Sequence, residues 1–281
     1  EICDPVFEGV VLGNLGAVYI ATGRLPQAEQ ALTQALEQLR RTGAREFQGN
    51  ALANLAIVHQ QRGQFDAAEE LYTQSMMLQR EFGSLANEGI TLSNLGLVCL
   101  NTGRLESAER RLREALAIHR KAGDRRTEGN TLDHLGLVLK RRSQRQESEQ
   151  LFDQAIAIHR QVGNRASEGI TLGHVAAVYM DSGRMELAEK SYRAAVAIHV
   201  EVGNRRLEGA DLCGLALCLV VRDHPVGARL AWLRGIEVLR QLGDHGLVAA
   251  EIEAMRGSCA KAGIPLFDLK AADVSGGGAL S

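Results

Sequence analysis

Three asparagine side chains recur at a spacing of 40 residues and could hydrogen-bond to a peptide. They are Asn14, Asn54 and Asn94. A carboxamide both donates and accepts hydrogen bonds, so it suits the amide groups of a peptide backbone. The alternative is that the three amides only solvate an exposed helix face. Since asparagine is a mediocre helix former, its recurrence favours contact with a ligand.

Two histidines continue this row, because His134 and His174 follow Asn94 at the same spacing. A zinc site needs about four ligands, and only Asp133 and Asp181 could assist, so we predict no metal and no cofactor. A pH-sensitive contact with a partner is the alternative role. Three further histidines share another position, where other periods carry leucine, and we predict that they are half-buried structural residues: His119, His159 and His199.

A basic cluster begins at Lys140 and Arg141. It could hold an acidic stretch of a partner, or it could simply place cations at a helix C-terminus, where they stabilise the helix dipole. The sequence contains no GxSxG, GxxxxGK[ST] or HExxH motif, and its glycines recur at fixed positions. Without a catalytic or phosphate-binding signature, we predict that the protein is not an enzyme.

These residues belong to an internal repeat marked by a Glu-Gly pair, from Glu8-Gly9 to Glu208-Gly209. We number slots from the Gly of this pair, which places the asparagines in slot 6. A period of 40 residues is typical of a solenoid. Slot 8 always carries Gly or Ala although it lies within a helical pattern, and Gly costs about 1 kcal/mol there relative to Ala. We therefore expect a large residue of a second helix to approach slot 8 closely.

Turn and capping residues divide each period into two helices. The predicted fold is an all-α superhelix of six helical hairpins plus a C-terminal capping helix. Glycines end the helices, Asp or Asn follows at N-cap positions, and the Glu of each pair suits the helix dipole. The predicted solenoid covers residues 1–262. Its predicted parts are hairpins at about 8–47, 48–87, 88–127, 128–167, 168–207 and 208–245, a capping helix at 246–262, and a flexible tail or linker at 263–281.

The slot pattern resembles the tetratricopeptide repeat. One period matches the family at five slots, through Leu95, Gly96, Ala108, Leu112 and Ala115. The period length and the linker from Gly123 to Gly129 look more specifically like the Leu-Gly-Asn repeat branch. The resemblance covers about residues 8–262.

The resemblance implies that the first helix of each hairpin lines a concave groove and that slot 6 faces it. Ile57 and Leu97 in slot 9 would add apolar surface to this groove, and exposed aliphatic residues there indicate a protein partner. An amphipathic helix or an extended segment would fit. The alternative is that these side chains tuck into neighbouring repeats.

Composition narrows the partners and the compartment. A formal net charge of −2 argues against non-specific electrostatic binding to nucleic acid or anionic lipid. No apolar stretch approaches the roughly 20 residues needed to span a bilayer, so we predict no membrane insertion. Five scattered cysteines without a CxxC pair indicate free thiols in a reducing compartment, hence a cytoplasmic protein.

Three functional hypotheses follow. The first is a non-catalytic scaffold that binds a peptide segment of a partner in the groove. The second is the sensor or docking region of a larger bacterial signalling protein, a kinase or transcriptional regulator, suggested by the absence of an initial Met. The third is self-inhibition, in which the tail segment from Leu266 to Leu269 fills the groove.

Overall fold

The computed structural model describes residues 4–267, which form thirteen α-helices and contain no strand. The predicted all-α fold is confirmed. The helices are α1 (Pro5–Ala21), α2 (Leu25–Arg41), α3 (Arg45–Gln61), α4 (Phe65–Glu81), α5 (Leu85–Asn101), α6 (Leu105–Ala122), α7 (Arg125–Arg141), α8 (Arg145–Gln161), α9 (Arg165–Asp181), α10 (Met185–Glu201), α11 (Arg205–Val221), α12 (Pro225–Gln241) and α13 (His245–Ala262).

The chain divides into two compact units, Glu1–Ile158 and His159–Ser281. In the first unit each odd-numbered helix contacts the next odd-numbered helix, from α1 to α7, whereas α2, α4 and α6 do not contact one another. Helices that approach more closely lie on the inner side of a curved stack. The odd-numbered helices therefore line the inner side of the first unit.

Small residues in slot 8 receive large residues from the second helix of the same hairpin. A methyl group on Gly96 would lie 2.6 Å from Leu112 Cγ, and one on Gly16 would lie 2.5 Å from Leu32 Cγ. Both leucines are fully buried. The expected close approach is confirmed, and dense packing between the paired helices offsets the helix-propensity cost of glycine.

The Glu of the Glu-Gly pair forms a buried ion pair across the turn between hairpins. Glu128 is only 4 % exposed, and its Oε1 accepts a hydrogen bond from Arg120 Nε at 2.9 Å. Glu168 accepts the equivalent bond from Arg160 at 2.7 Å. The sequence indicated only a favourable helix-dipole position. The structure adds that each carboxylate joins the last turn of one hairpin to the first turn of the next.

The turns contain the helix-ending glycines and the N-cap residues that the sequence predicted. Eleven glycines at the C-terminal ends of helices have φ between 66° and 76°, a conformation that glycine adopts at little cost. Ser143 and Asp223 occupy equivalent turns with φ of 62° and 59°. The side chains of Asp124 and Asn164 accept N-cap hydrogen bonds from α7 and α9, as predicted.

The last helix of the second unit, α13, is the predicted capping helix. Arg256 of α13 stands in slot 8 and is exposed. Ile264 and Phe267 pack against the hydrophobic core of this unit, and Leu266 and Phe267 share a surface cleft with Pro225 of α12. For these two residues the hypothesis of a tail filling the groove is not supported. The rest of that segment lies outside the described residues.

Four cysteines within residues 4–267 are buried free thiols: Cys99, Cys213, Cys218 and Cys259. Among the helices of the same range, none combines the length and the apolar character needed to cross a membrane.

Candidate functional site

The asparagine row, defined as Asn14, Asn54 and Asn94, lies on α1, α3 and α5 of the first unit. Asn14 is exposed, and the other two are half-buried. No side-chain hydrogen bond joins any of the three to another residue in the range 4–267. Their amide groups are not sealed either, since none is among the buried polar atoms without a partner. The row therefore presents solvent-accessible donors and acceptors.

A cleft between α1 and α3 brings two members of the row together. Asn14 and Asn54 line it with Phe47 and Asn50. Small residues create the space, since a methyl group on Gly13 would meet nothing within 4 Å. Asn50 differs from the row because its Oδ1 accepts a hydrogen bond from Asn87 Nδ2 at 3.0 Å. The cleft thus combines two unengaged amides with an aromatic wall.

The two histidines of slot 6 lie in different units and are each half-buried, His134 in α7 and His174 in α9. Within residues 4–267, no group of three or more His, Cys, Asp or Glu side chains is arranged to hold a metal ion. His174 lines a pocket of the second unit with His199 and Asp211.

The predicted apolar residues are only partly available to a ligand. Ile57 is half-buried and packs against the core cluster that contains Tyr72. Leu97 is half-buried against the cluster that contains Leu112. Each side chain therefore contributes to the core and keeps some exposed surface.

The basic cluster is largely engaged within the protein. The Arg141 guanidinium donates a hydrogen bond to the backbone oxygen of Leu100 at 2.7 Å, and so it binds the C-terminal end of α5. Arg142 forms ion pairs with Glu106 and Glu109. Lys140 is half-buried. These contacts stabilise the stacking of neighbouring hairpins.

A polar pocket in the second unit was not predicted from the sequence. It is lined by Asp211, Glu251, Tyr192 and His199. His119, His159 and His199 are each 1 % exposed, so the prediction that these histidines are half-buried was wrong. The His199 imidazole fills the space above Gly169, where a methyl group would lie 2.9 Å from its Cε1. A signal was present, since Asp211 and Glu251 both occupy slot 3.

Comparison with known proteins identifies the repeat. A family model described as tetratricopeptide repeat matches residues 8–81 and 87–161, and a second model with the same description matches residues 171–198. A search of curated proteins gives no match.

Solved structures share the fold at low sequence identity. BtubC from P. vanneervenii is 15% identical with a TM-score of 0.67, over 78% of this chain and 92% of that one. A Rap protein complexed with competence and sporulation factor is 15% identical with a TM-score of 0.67, over 93% and 77%. A signal transduction ATPase with a tetratricopeptide repeat sensor, from Pyrococcus horikoshii, is 16% identical with a TM-score of 0.70, over 89% and 40%. At such identities the likeness establishes the fold alone.

Proposed function

The chain belongs to the tetratricopeptide repeat family, and we propose that it is a non-catalytic scaffold that binds a peptide segment of a partner protein along the asparagine row. One observation carries this proposal. Three asparagines at the same slot lie on α1, α3 and α5, the helices of the inner side of the first unit, and none has a side-chain hydrogen-bond partner in the described residues. Ligand contact would satisfy them.

An extended segment suits the row better than an amphipathic helix. A helix satisfies its own backbone groups over most of its length, whereas an extended chain leaves its N–H and C=O groups available. Packed helices lie about 8–10 Å apart, and an extended chain rises about 3.3 Å per residue. Successive asparagines would therefore meet roughly every third residue of the peptide.

The other predicted residues have supporting roles in this proposal. Ile57 and Leu97 would contact apolar side chains of the peptide with their exposed surface. His134 would continue the row on α7. Lys140 and Arg141 would add positive charge, although the Arg141 side chain already binds a backbone oxygen. We place the scaffold in the cytoplasm, where its buried thiols would stay reduced.

Affinity selection tests the proposal. A random dodecapeptide library displayed on phage is selected against the full chain, and the affinity of an enriched peptide is measured by calorimetry. Asn14→Ala, Asn54→Ala and Asn94→Ala combined should weaken binding at least tenfold, since each hydrogen bond contributes about 0.5–1.5 kcal/mol. Gln34→Ala, which removes an exposed carboxamide from α2, is the matched control and should bind as the original chain does.

Two outcomes would contradict the proposal. One is a triple variant with unchanged helicity by circular dichroism and unchanged affinity for the peptide. The other is a selection in which the intact chain enriches no peptide.

A second candidate function is the sensor region of a larger signalling protein. It is favoured by the likeness to the ATPase with a tetratricopeptide repeat sensor, of which this chain covers 40%. The full open reading frame tests it, because an additional catalytic or DNA-binding domain must then be encoded. A reading frame without such a domain would exclude this candidate.

A further inference from the structure

A pocket of about 260 Å³ opens in the second unit beside α9, α10, α11 and α13. We call it the Asp211 pocket. Two glycines leave room for its polar side chains. A methyl group on Gly173 would lie 2.8 Å from Asp211 Oδ1, and one on Gly214 would lie 2.7 Å from the Tyr192 ring. The pocket thus occupies space that slot 5 and slot 6 side chains would fill.

The pocket is acidic and lacks an arginine or lysine among its lining residues. Burial raises the pKa of Asp211 above its ordinary value, although the neighbouring His199 and His174 act in the opposite direction. Burial also raises the pKa of Glu251, and the charge of Asp211 raises it further. Both pKa values rise because burial takes a carboxylate out of water and so disfavours its charged form.

Two buried polar side chains of α10 face this pocket without a hydrogen bond. Tyr192 is 7 % exposed and lines the pocket, and its hydroxyl has no partner among residues 4–267. Tyr72, at the same slot of another hairpin, donates to Gln60 at 2.8 Å. No well-aligned hydrogen bond reaches either ring nitrogen of His199, although its Nε2 lies 3.3 Å from Asp211 Oδ2, where a protonated ring would pair with the carboxylate. Native interiors seldom leave such groups unsatisfied.

We propose that the Asp211 pocket binds an organic cation, an ammonium or guanidinium group. Asp211 and Glu251 would neutralise its charge, and the Tyr192 oxygen would accept a further hydrogen bond. The Tyr192 ring would also offer a π face to the cation. The source is either an arginine or lysine side chain of a partner or a free amine. This site shares no residue with the asparagine row, so a result that refutes one proposal leaves the other unaffected.

Three features favour an organic cation over other ligands. An anion would be repelled by two carboxylates. A metal ion is disfavoured because the acids and histidines here do not converge on one point. A neutral group would leave Glu251 without a counter-charge, whereas planar guanidinium matches carboxylate geometry through paired hydrogen bonds.

Calorimetry with N-butylguanidinium and the neutral isostere N-butylurea tests the chemistry. We expect the cation to bind the full chain at pH 7.5 and the urea not to bind. Glu251→Gln should reduce affinity at least tenfold, because a charge-assisted hydrogen bond would be lost. Glu253→Gln, which makes the same change on the exposed side of α13, should leave affinity unchanged.

The NMR signals of the His174 and His199 rings report the location of binding. Both should shift on saturation with N-butylguanidinium. Lowering the pH to 5 should weaken binding, because Asp211 and Glu251 lose negative charge at a higher pH than ordinary carboxyls. The Tyr192 hydroxyl stays neutral in this range, since burial raises its pKa.

The source is distinguished by comparing agmatine with the peptide acetyl-Ala-Arg-Ala-amide. Binding of agmatine alone would identify a site for a free amine, and binding of both would identify a site that also accepts a side chain. The proposal is overturned if neither N-butylguanidinium nor agmatine binds. It is also overturned if N-butylurea binds as well as the cation, or if Glu251→Gln has no effect. Thermal melts of each variant check folding.

Discussion

The close approach of slot 8 to slot 24 predicts a large steric penalty for a single methyl group. In Gly96→Ala the new Cβ would lie 2.6 Å from Leu112 Cγ, whereas ordinary carbon contacts are about 3.5–4.0 Å. Leu112 is fully buried and Cγ is its branch point, so the contact cannot be relieved by moving a flexible chain end. The helices must separate or the leucine must leave its rotamer.

The expected cost combines two opposing effects. Overpacking of a dense core costs typically 1–3 kcal/mol, and this contact justifies the upper end. Alanine gains about 1 kcal/mol in helix propensity. Gly96→Ala should therefore destabilise by about 2 kcal/mol, which corresponds to a fall in Tm of roughly 4–8 °C for a unit of this size.

The matched control is Gly257→Ala in α13, where a methyl group would meet nothing within 4 Å. It should raise stability by up to about 1 kcal/mol through helix propensity alone. Leu112→Ala should cost about 2–5 kcal/mol by itself. In that background Gly96→Ala should become stabilising, which gives a coupling energy of about 3 kcal/mol.

Urea unfolding followed by circular dichroism measures all four variants. The reasoning is refuted if Gly96→Ala is as harmless as Gly257→Ala. It is equally refuted if the effects of Gly96→Ala and Leu112→Ala are additive.

Two further predictions concern the turns. Ser143→Gly should raise the free energy of unfolding by about 0.5–1 kcal/mol, because a non-glycine residue at positive φ is strained. Asp223→Gly should change it little, since Asp tolerates this region better. In thermal melts, a lower Tm for Ser143→Gly would contradict the first prediction. Arg120→Ala should cost about 1–2 kcal/mol by removing a partner of the buried Glu128 carboxylate. Arg113→Ala, at an intrahelical pair whose arginine is exposed, should cost less than 0.5 kcal/mol. Equal losses in urea unfolding would exclude a special role for the pair that includes Glu128.

The fold could be predicted from the sequence because each slot combines two independent signals. Leucines at spacings of three and four define a helix face, and the small residue at Gly96 requires a large neighbour at Leu112. Glycine at the turns and an acceptor such as Asp124 at the N-cap then fix the helix ends. The structure confirms each of these elements.

The ion pairs and the second-unit pocket could not be predicted in the same way. Arg120 and Glu128 are eight residues apart across a turn, so only the turn geometry brings them together. Asp211 and Glu251 are 40 residues apart, and their slot was not among those that the family resemblance places in the groove. For the basic cluster, pattern alone could not distinguish an available cation from Arg141, whose partner is a backbone oxygen of an earlier hairpin.

Photo-crosslinking tests most directly whether a partner peptide binds the inner side of the first unit. A photoreactive benzoylphenylalanine replaces either Asn54 on α3 or Met77 on α4, which is 65 % exposed, and each chain is irradiated with a selected peptide. We predict a crosslink from position 54 and none from position 77. A crosslink from position 77 alone, or equal yields from both positions, would contradict binding along the asparagine row.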